Sequence, residues 1–222
     1  MVTEQLRDRK QAGRMLAEKL VGYAGRSDVI VLGLARGGVE VAHEIAKALQ
    51  APLDVFLVRK LGVPGFEELA MGAISTGDVQ IIDPDVVESF GLSQSEIDGV
   101  VTIERHELAR RERAYRGQRL RLDPQGRTVI LVDDGIATGS TMRAAIAAVR
   151  KLGPARIVVA VGVAPLSTCM ILRSEANEVV CLLTPRDFRA VGQFFIDFPQ
   201  LSDEDVRSLL AGSIKPDTRT AA

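Results

Sequence analysis

The chain contains no tryptophan, two tyrosines and seven phenylalanines among its 222 residues, so its core has to be assembled mostly from aliphatic side chains. Its two cysteines, Cys169 and Cys181, are too few and too isolated for a disulfide framework or a zinc site. Both read as small buried hydrophobes, with a reducing cytoplasm as the expected setting. No apolar run approaches the ~20 residues that cross a bilayer, and Met1-Val2-Thr3-Glu4-Gln5 lacks a signal-peptide pattern. A charge excess is missing as well. The 28 Lys and Arg face 29 Asp and Glu, which argues against a general nucleic-acid binder, whose affinity depends on neutralising phosphates. Repeats and long linkers are absent. What is present, 46% hydrophobic and 26% charged residues, suits one sizeable α/β core.

Strand and helix patterns alternate along the chain, which predicts an open parallel sheet of about five strands with flanking helices. Residues 28–34, 53–58, 129–132, 157–163 and 179–183 read as apolar strands. Helices are expected at 9–21, with Met15, Leu16 and Leu20 on one side, and at 39–49, 142–152, 166–174 and 203–210, the last capped by Ser202. Residues 70–75 and 79–82 look like short strands paired around Thr76-Gly77-Asp78, and 86–121 is mostly polar and helical. Residues 213–222 are small, polar and charged, and are expected to form a disordered tail.

The stretch Val129-Ile130-Leu131-Val132-Asp133-Asp134-Gly135-Ile136-Ala137-Thr138-Gly139-Ser140-Thr141 carries most of the functional information. A β-branched run of this kind suits a strand buried on both faces. It ends in two carboxylates, then a small-residue loop, then a helix start. The loop amides and first helical turn present N–H groups to an anion such as a phosphate. Thr138, Ser140 and Thr141 add hydroxyls, and Gly139 lets the backbone approach closely. Asp133 and Asp134 would repel a bare phosphate but suit ribose hydroxyls or a hydrated Mg²⁺. A Walker loop is excluded because Gly139, not Lys, precedes Ser140; a dinucleotide fingerprint is excluded because no G-x-G-x-x-G occurs here or in Gly33-Leu34-Ala35-Arg36-Gly37-Gly38.

This stretch resembles the signature of the type I phosphoribosyltransferases, which bind 5-phosphoribosyl 1-diphosphate (PRPP). The resemblance implies one domain over residues 1–212 with a hood and flap insertion at about 60–127. It implies a cytoplasmic, Mg²⁺-dependent enzyme that transfers the phosphoribosyl group to a nucleobase or similar nitrogen nucleophile and releases diphosphate. Ala137, Thr138, Gly139, Ser140 and Thr141 would hold the 5′-phosphate, while Asp133 and Asp134 would orient the ribose and its metal shell through hydroxyls or water. Arg36, Gly37 and Gly38 resemble the diphosphate loop of the same family, and a non-proline cis peptide is expected within Ala35-Arg36-Gly37. A homodimer is allowed; membrane and nucleic-acid partners are not expected.

Other candidates are less specific. Arg59 and Lys60 end the second predicted strand, where they could meet diphosphate, and Leu61-Gly62-Val63-Pro64-Gly65 would form a loop over the site. Seven arginines between Arg105 and Arg121 occupy the place of the family's mobile flap, whose closure would keep water from an oxocarbenium-like centre. Phe188 is the matching candidate for stacking on the acceptor base, and Asp197 for lying near the metal. Ala137 stands where the 6-oxopurine enzymes have an acid, and no base-reading Lys occurs around Val163-Ala164-Pro165, which weakens hypoxanthine and guanine as acceptors. A non-catalytic PRPP or nucleotide sensor on the same fold is the competing class.

Overall fold

A computed structural model describes residues 5–213; the predicted tail, apart from Ser213, and the first four residues lie outside them. In chain order, α1 (Arg9–Lys19) leads into β1 (Val29–Leu34), α2 (Gly37–Leu49) and β2 (Leu53–Phe56). The segment that follows holds β3 (Val58–Val63), β4 (Phe66–Ser75), β5 (Val79–Ile82), α3 (Pro84–Ser89) and α4 (Gln94–Arg116). The chain then continues through β6 (Thr128–Gly135), α5 (Ser140–Lys151), β7 (Arg156–Val163), α6 (Leu166–Glu175), β8 (Glu178–Leu183) and α7 (Asp203–Ala211).

The main sheet runs β2-β1-β6-β7-β8, with every neighbouring pair parallel. All six residues of β1 are buried, and so are the first five of β6, as expected where helices cover both faces. The period of two divides the side chains cleanly. Val29, Val31, Ile130 and Val132 pack with Leu16, Leu20, Ile45, Leu49, Val206 and Leu210 on one face. Ile30, Leu32, Val129 and Leu131 pack with Met142, Ile146, Val149 and Leu172 on the other. From β1 the chain steps outward to β2, and from β6 it steps the opposite way to β7. The carboxyl ends of β1 and β6 therefore flank the point where strand order reverses, the usual place for a ligand crevice in such sheets.

Three sequence expectations need correction. The run 53–58 is not one strand. Leu57 leaves the main sheet, donating its N–H to Thr76 Oγ1 at 3.0 Å and accepting from the Thr76 N–H at 2.9 Å. Its apolar side chain, 4% exposed, continues the hydrophobic run and so hides the break. Arg59 and Lys60 consequently lie inside β3 of a separate antiparallel sheet, β3-β4-β5. Residues 61–65 are the end of β3 and the tight Pro64-Gly65 turn into β4, with Gly65 at φ 79°. Lastly, Cys169 on α6 and Cys181 on β8 are joined to each other as a disulfide and are not separate thiols. The strand that follows α6 returns beside it and brings the two positions together.

Helix α4 opens on a reciprocal capping box between Ser93 and Glu96. It ends on Arg116, which donates to Asp54 of β2 at 3.1 Å. Asp54, 3% exposed, also accepts from the N–H groups of Val55 at 2.8 Å and Leu122 at 3.1 Å. One buried carboxylate thus fastens both the end of α4 and the return segment to the edge of the main sheet. Asp54→Ala would leave the nearly buried Arg116 without this partner and two backbone donors unpaired. We expect a loss of about 3 kcal/mol in urea unfolding, whereas Arg110→Ala, at an exposed pair with Glu107, should leave the midpoint unchanged.

Candidate functional site

The site begins where β6 runs out of apolar residues. Asp133 is half-buried and Asp134 is 8% exposed, and alternation sends them to opposite faces of the strand end. Asp133 Oδ1 accepts the Asp134 N–H at 2.9 Å. Burial of its carboxyl and the neighbouring Asp134 push Asp133 well above the usual carboxylate range, only partly offset by the Asp134 N–H and by Arg9.

Beyond β6 the loop turns into α5 through Gly139, whose φ of 84° only glycine adopts without strain. The N-cap residue Gly139 has no side chain to cap α5, and only Thr138 Oγ1 approaches the first turn, at a long 3.5 Å from the Ser140 N–H, so these N–H groups remain largely available to a ligand. Thr138 Oγ1 and Ser140 Oγ lie 3.1 Å apart beside them. Asp133, Ala137, Thr138, Gly139, Ser140 and Thr141 line one cavity of about 180 Å³. From behind, Thr168 of α6 donates its hydroxyl to the Ala137 carbonyl at 2.9 Å, and its methyl leaves only 3.0 Å for a Cβ at position 139. Thr168 was not legible as a site residue, since a threonine in the first turn of a helix is ordinary.

The loop after β1 meets the same strand end. The Ala35–Arg36 peptide is cis, as the resemblance implies, and α2 starts immediately after it with Arg36 at the N-cap. A Cβ on Gly37 would overlap the Asp134 carboxylate; one on Gly38 would sit 2.9 Å from Asp133 Cα and 3.0 Å from Asp133 Oδ1. Glycine is required at both places by this close approach. Arg36 extends toward Asp203 at the start of α7, 3.7 Å away, with both side chains at least about one-third exposed.

Sequence reasoning missed Arg9. This side chain, 5% exposed, donates from Nε to Asp134 Oδ2 at 2.6 Å and from Nη1 to the Pro199 carbonyl at 2.7 Å, with its guanidinium 3.8 Å from the centre of the Phe198 ring. A signal was present: a cation in the first turn of a helix opposes the helix dipole, so an arginine there calls for a specific partner.

The remaining candidates are not gathered into this cluster. Arg59 is paired with Glu104 of α4 at 2.5 Å, and Lys60 donates to the Glu68 carbonyl at 3.0 Å. Both line a different cavity, of about 380 Å³, with Val63, Pro64 and Ile103. The arginines of the expected flap lie largely on α4 with partners of their own: Arg110 and Arg111 on Glu107, Arg116 on Asp54 and Glu112. Phe188 is half-buried and stacks on Phe194 at 5.5 Å. Asp197 is exposed, and its N–H donates to the Arg7 carbonyl at 2.8 Å. Among the described residues no three or more His, Cys, Asp or Glu side chains form a metal-holding group, and no helix is long and apolar enough to cross a membrane.

The pattern of a phosphoribosyl transferase domain matches residues 2–197. The chain belongs to the phosphoribosyl transferase family. It is 47% identical over 203 residues, 91% of its length, to a Mycobacterium tuberculosis (strain CDC 1551 / Oshkosh) protein whose phosphoribosyl transferase activity is assigned provisionally. Those residues make up 46% of the relative, so the chain spans about half the length of the curated relatives it matches. It is 38% identical over 133 residues to the bifunctional protein PyrR of Chloroflexus aurantiacus, covering 58% of this chain and 66% of that one. The crystal structure of TT1426 from Thermus thermophilus superposes at a TM-score of 0.83 with 44% identity, over 93% of this chain and 97% of that one. In this chain Asp133, Asp134 and the small-residue loop 137–141 lie together at the end of β6.

The electrostatics of Asp133 give a stability test with a defined sign. Its folded-state pKa lies above its ordinary value of 3.8, so keeping it charged opposes folding. The native state is favoured below that value, and the advantage fades as pH rises through the folded pKa. Asp133→Asn, which keeps an acceptor for the Asp134 N–H, should raise the thermal midpoint at pH 7, and the gain should shrink as pH falls toward 3.8. An equal gain at both pH values would mean that charge is not its cause.

Proposed function

We propose that this chain transfers the 5-phosphoribosyl group of PRPP to a nucleobase or similar nitrogen nucleophile, releasing diphosphate. The observation that carries this reading is the juxtaposition of the uncapped α5 terminus, the acid pair and the Gly37-Gly38 backbone at one strand end. The 5′-phosphate sits on residues 137–141, receiving N–H groups of the first helical turn and the hydroxyls of Thr138, Ser140 and Thr141. Asp133 and Asp134 face the ribose hydroxyls, and the amides of Gly37 and Gly38 together with Arg36 receive the diphosphate. The Arg36–Asp203 pair is long and largely solvated, a contact worth about 1 kcal/mol at most. A diphosphate offering bidentate, charge-assisted hydrogen bonds outcompetes it.

The donor set is compatible with Mg²⁺ in one particular way. This ion keeps several waters and takes one or two carboxylates plus substrate phosphates, without a dedicated protein cage. Asp133 in the cavity wall and Asp134 next to it on the chain, with no group of three or more acids, histidines or cysteines that could hold a metal among the described residues, meet that requirement. Asp133 and Asp134 would hold it, through water or the ribose hydroxyls, and it would neutralise charge growing on the leaving diphosphate. In the displacement the bond from C1 to the diphosphate oxygen breaks, the nitrogen–C1 bond forms from the opposite face, and the nucleophile's proton passes to solvent. We assign β3 to α4 as the hood and flap that limit water access to this centre, and Phe188 as the surface against which the acceptor ring stacks.

The phosphate reading is tested by thermal protection. PRPP with Mg²⁺ should raise the midpoint of the wild-type protein, and Thr138→Val combined with Thr141→Val should weaken PRPP binding by at least about 100-fold, the lower bound for losing two hydrogen bonds to a charged group at about 1.5–3 kcal/mol each. Undiminished protection would remove this loop from the phosphate site. A screen of nucleobases and small amines that scores diphosphate release separates catalysis from the alternative of nucleotide sensing, in which PRPP binds without turnover.

A further inference from the structure

We propose that Arg9 is a positioning residue of this site: its guanidinium holds the Asp134 carboxylate against Gly37, offsets the negative charge adjoining Asp133, and ties both to the segment at Phe198-Pro199. The inference rests on the PRPP reading given above and names the residue that organises it.

Arg9 is a buried cation that local structure does not ask for. Asp8 caps α1 by accepting the Gln11 N–H, so Arg9 is the first helical residue, where a positive side chain faces the positive end of the dipole. Its burial is tolerated only because its charge and N–H groups are met. The partners come from distant parts of the chain: Asp134 on β6, the Pro199 carbonyl, and the ring of Phe198. The fourth neighbour is the diphosphate loop itself, since a Cβ on Gly37 would lie 3.0 Å from Arg9 Nε. Phe198 in turn stacks on buried Phe195 at 4.8 Å, so the guanidinium is clamped between a carboxylate and an aromatic face.

The backbone beneath it is equally constrained. At Gly13, one turn further on, a Cβ would sit 2.6 Å from Glu44 Cβ and 2.7 Å from the Val41 carbonyl, which shows how closely α1 is seated on α2. Since α2 begins at Gly37, the helix that carries Arg9 and the helix that starts at the diphosphate loop share one interface. Arg9 closes the resulting triangle through Asp134.

Two consequences for ligand binding follow. A free Asp134 carboxylate would add to the negative charge met by a ligand that carries several; pairing it with Arg9 offsets that charge. Pairing also fixes which carboxylate oxygen faces the loop, so Asp133 is left as the acid exposed in the phosphate cavity. A lysine would supply the charge but not the planar fork that reaches two acceptors while stacking on a ring.

The test compares PRPP binding, by calorimetry with Mg²⁺, against the unliganded thermal midpoint. Arg9→Lys should fold with a midpoint near wild type, yet bind PRPP about tenfold more weakly. If that variant fails to fold, Arg9→Gln, which keeps a side-chain N–H donor for Asp134 but not the charge or the fork, should fold and bind PRPP at least about tenfold more weakly. Either folded variant binding PRPP as tightly as wild type overturns the proposal and leaves a purely structural ion pair. A wild-type protein that binds no PRPP overturns the underlying reading and this inference together, so the two failures are told apart by the wild-type titration.

Discussion

Everything about the site depends on how closely the backbone at Gly37-Gly38 approaches the carboxyl end of β6. The parallel register of β1 on β6, Val29 on Thr128 through Gly33 on Val132, brings the loop after β1 level with Asp133 and Asp134. No side chain fits between them: a Cβ on Gly38 would meet the Val132 carbonyl and Asp133, and one on Gly37 the Asp134 carboxylate. Two loops about a hundred residues apart in sequence are therefore in close contact before any ligand arrives. The site is built into the sheet's edge, and its groups need little reorganisation to receive charge.

That approach brings acid and backbone into a sparsely hydrated corner, and the electrostatics follow. Asp133 is driven toward its neutral form by burial and by its neighbour, while Asp134 is compensated by Arg9. The chain thus carries two adjacent carboxylates under different constraints. Such a corner costs stability in the free protein, as is usual for a site shaped to a ligand's charges.

How much of this was legible in the sequence depended on the range of the physics involved. The inner strands β1, β6 and β7 could be read because burial on both faces leaves unbroken aliphatic runs, and the turns at 36–38 and 139 could be read because close approach and a positive φ demand glycine. The break at Leu57 could not, because an apolar residue can leave one sheet for another without interrupting the run. The first half of β4 escaped for the opposite reason: Phe66-Glu67-Glu68-Leu69 is exposed and bears no alternating stripe. Arg59 and Lys60 were placed at the wrong sheet in consequence. Arg9 and Thr168 lie 125 and 31 residues from their partners, and pairings at such range leave no periodicity behind.

The near-neutral composition takes on a different meaning once those pairings are known. The 28 cations do not form an open basic surface on α4, because Arg110, Arg111 and Arg116 are matched by acids on the same helix or on β2. Arg36, by contrast, has only a long, solvated contact with Asp203. An arginine at the N-cap of a helix, beside two glycines and weakly held by its partner, can be recruited by an anion at little cost. Arg9, one short step behind the same glycines, is held by a short buried pair and cannot. The two guanidiniums differ in the dielectric around them: the buried one is fixed between Asp134 and Phe198, and the solvated one keeps only a long contact with Asp203.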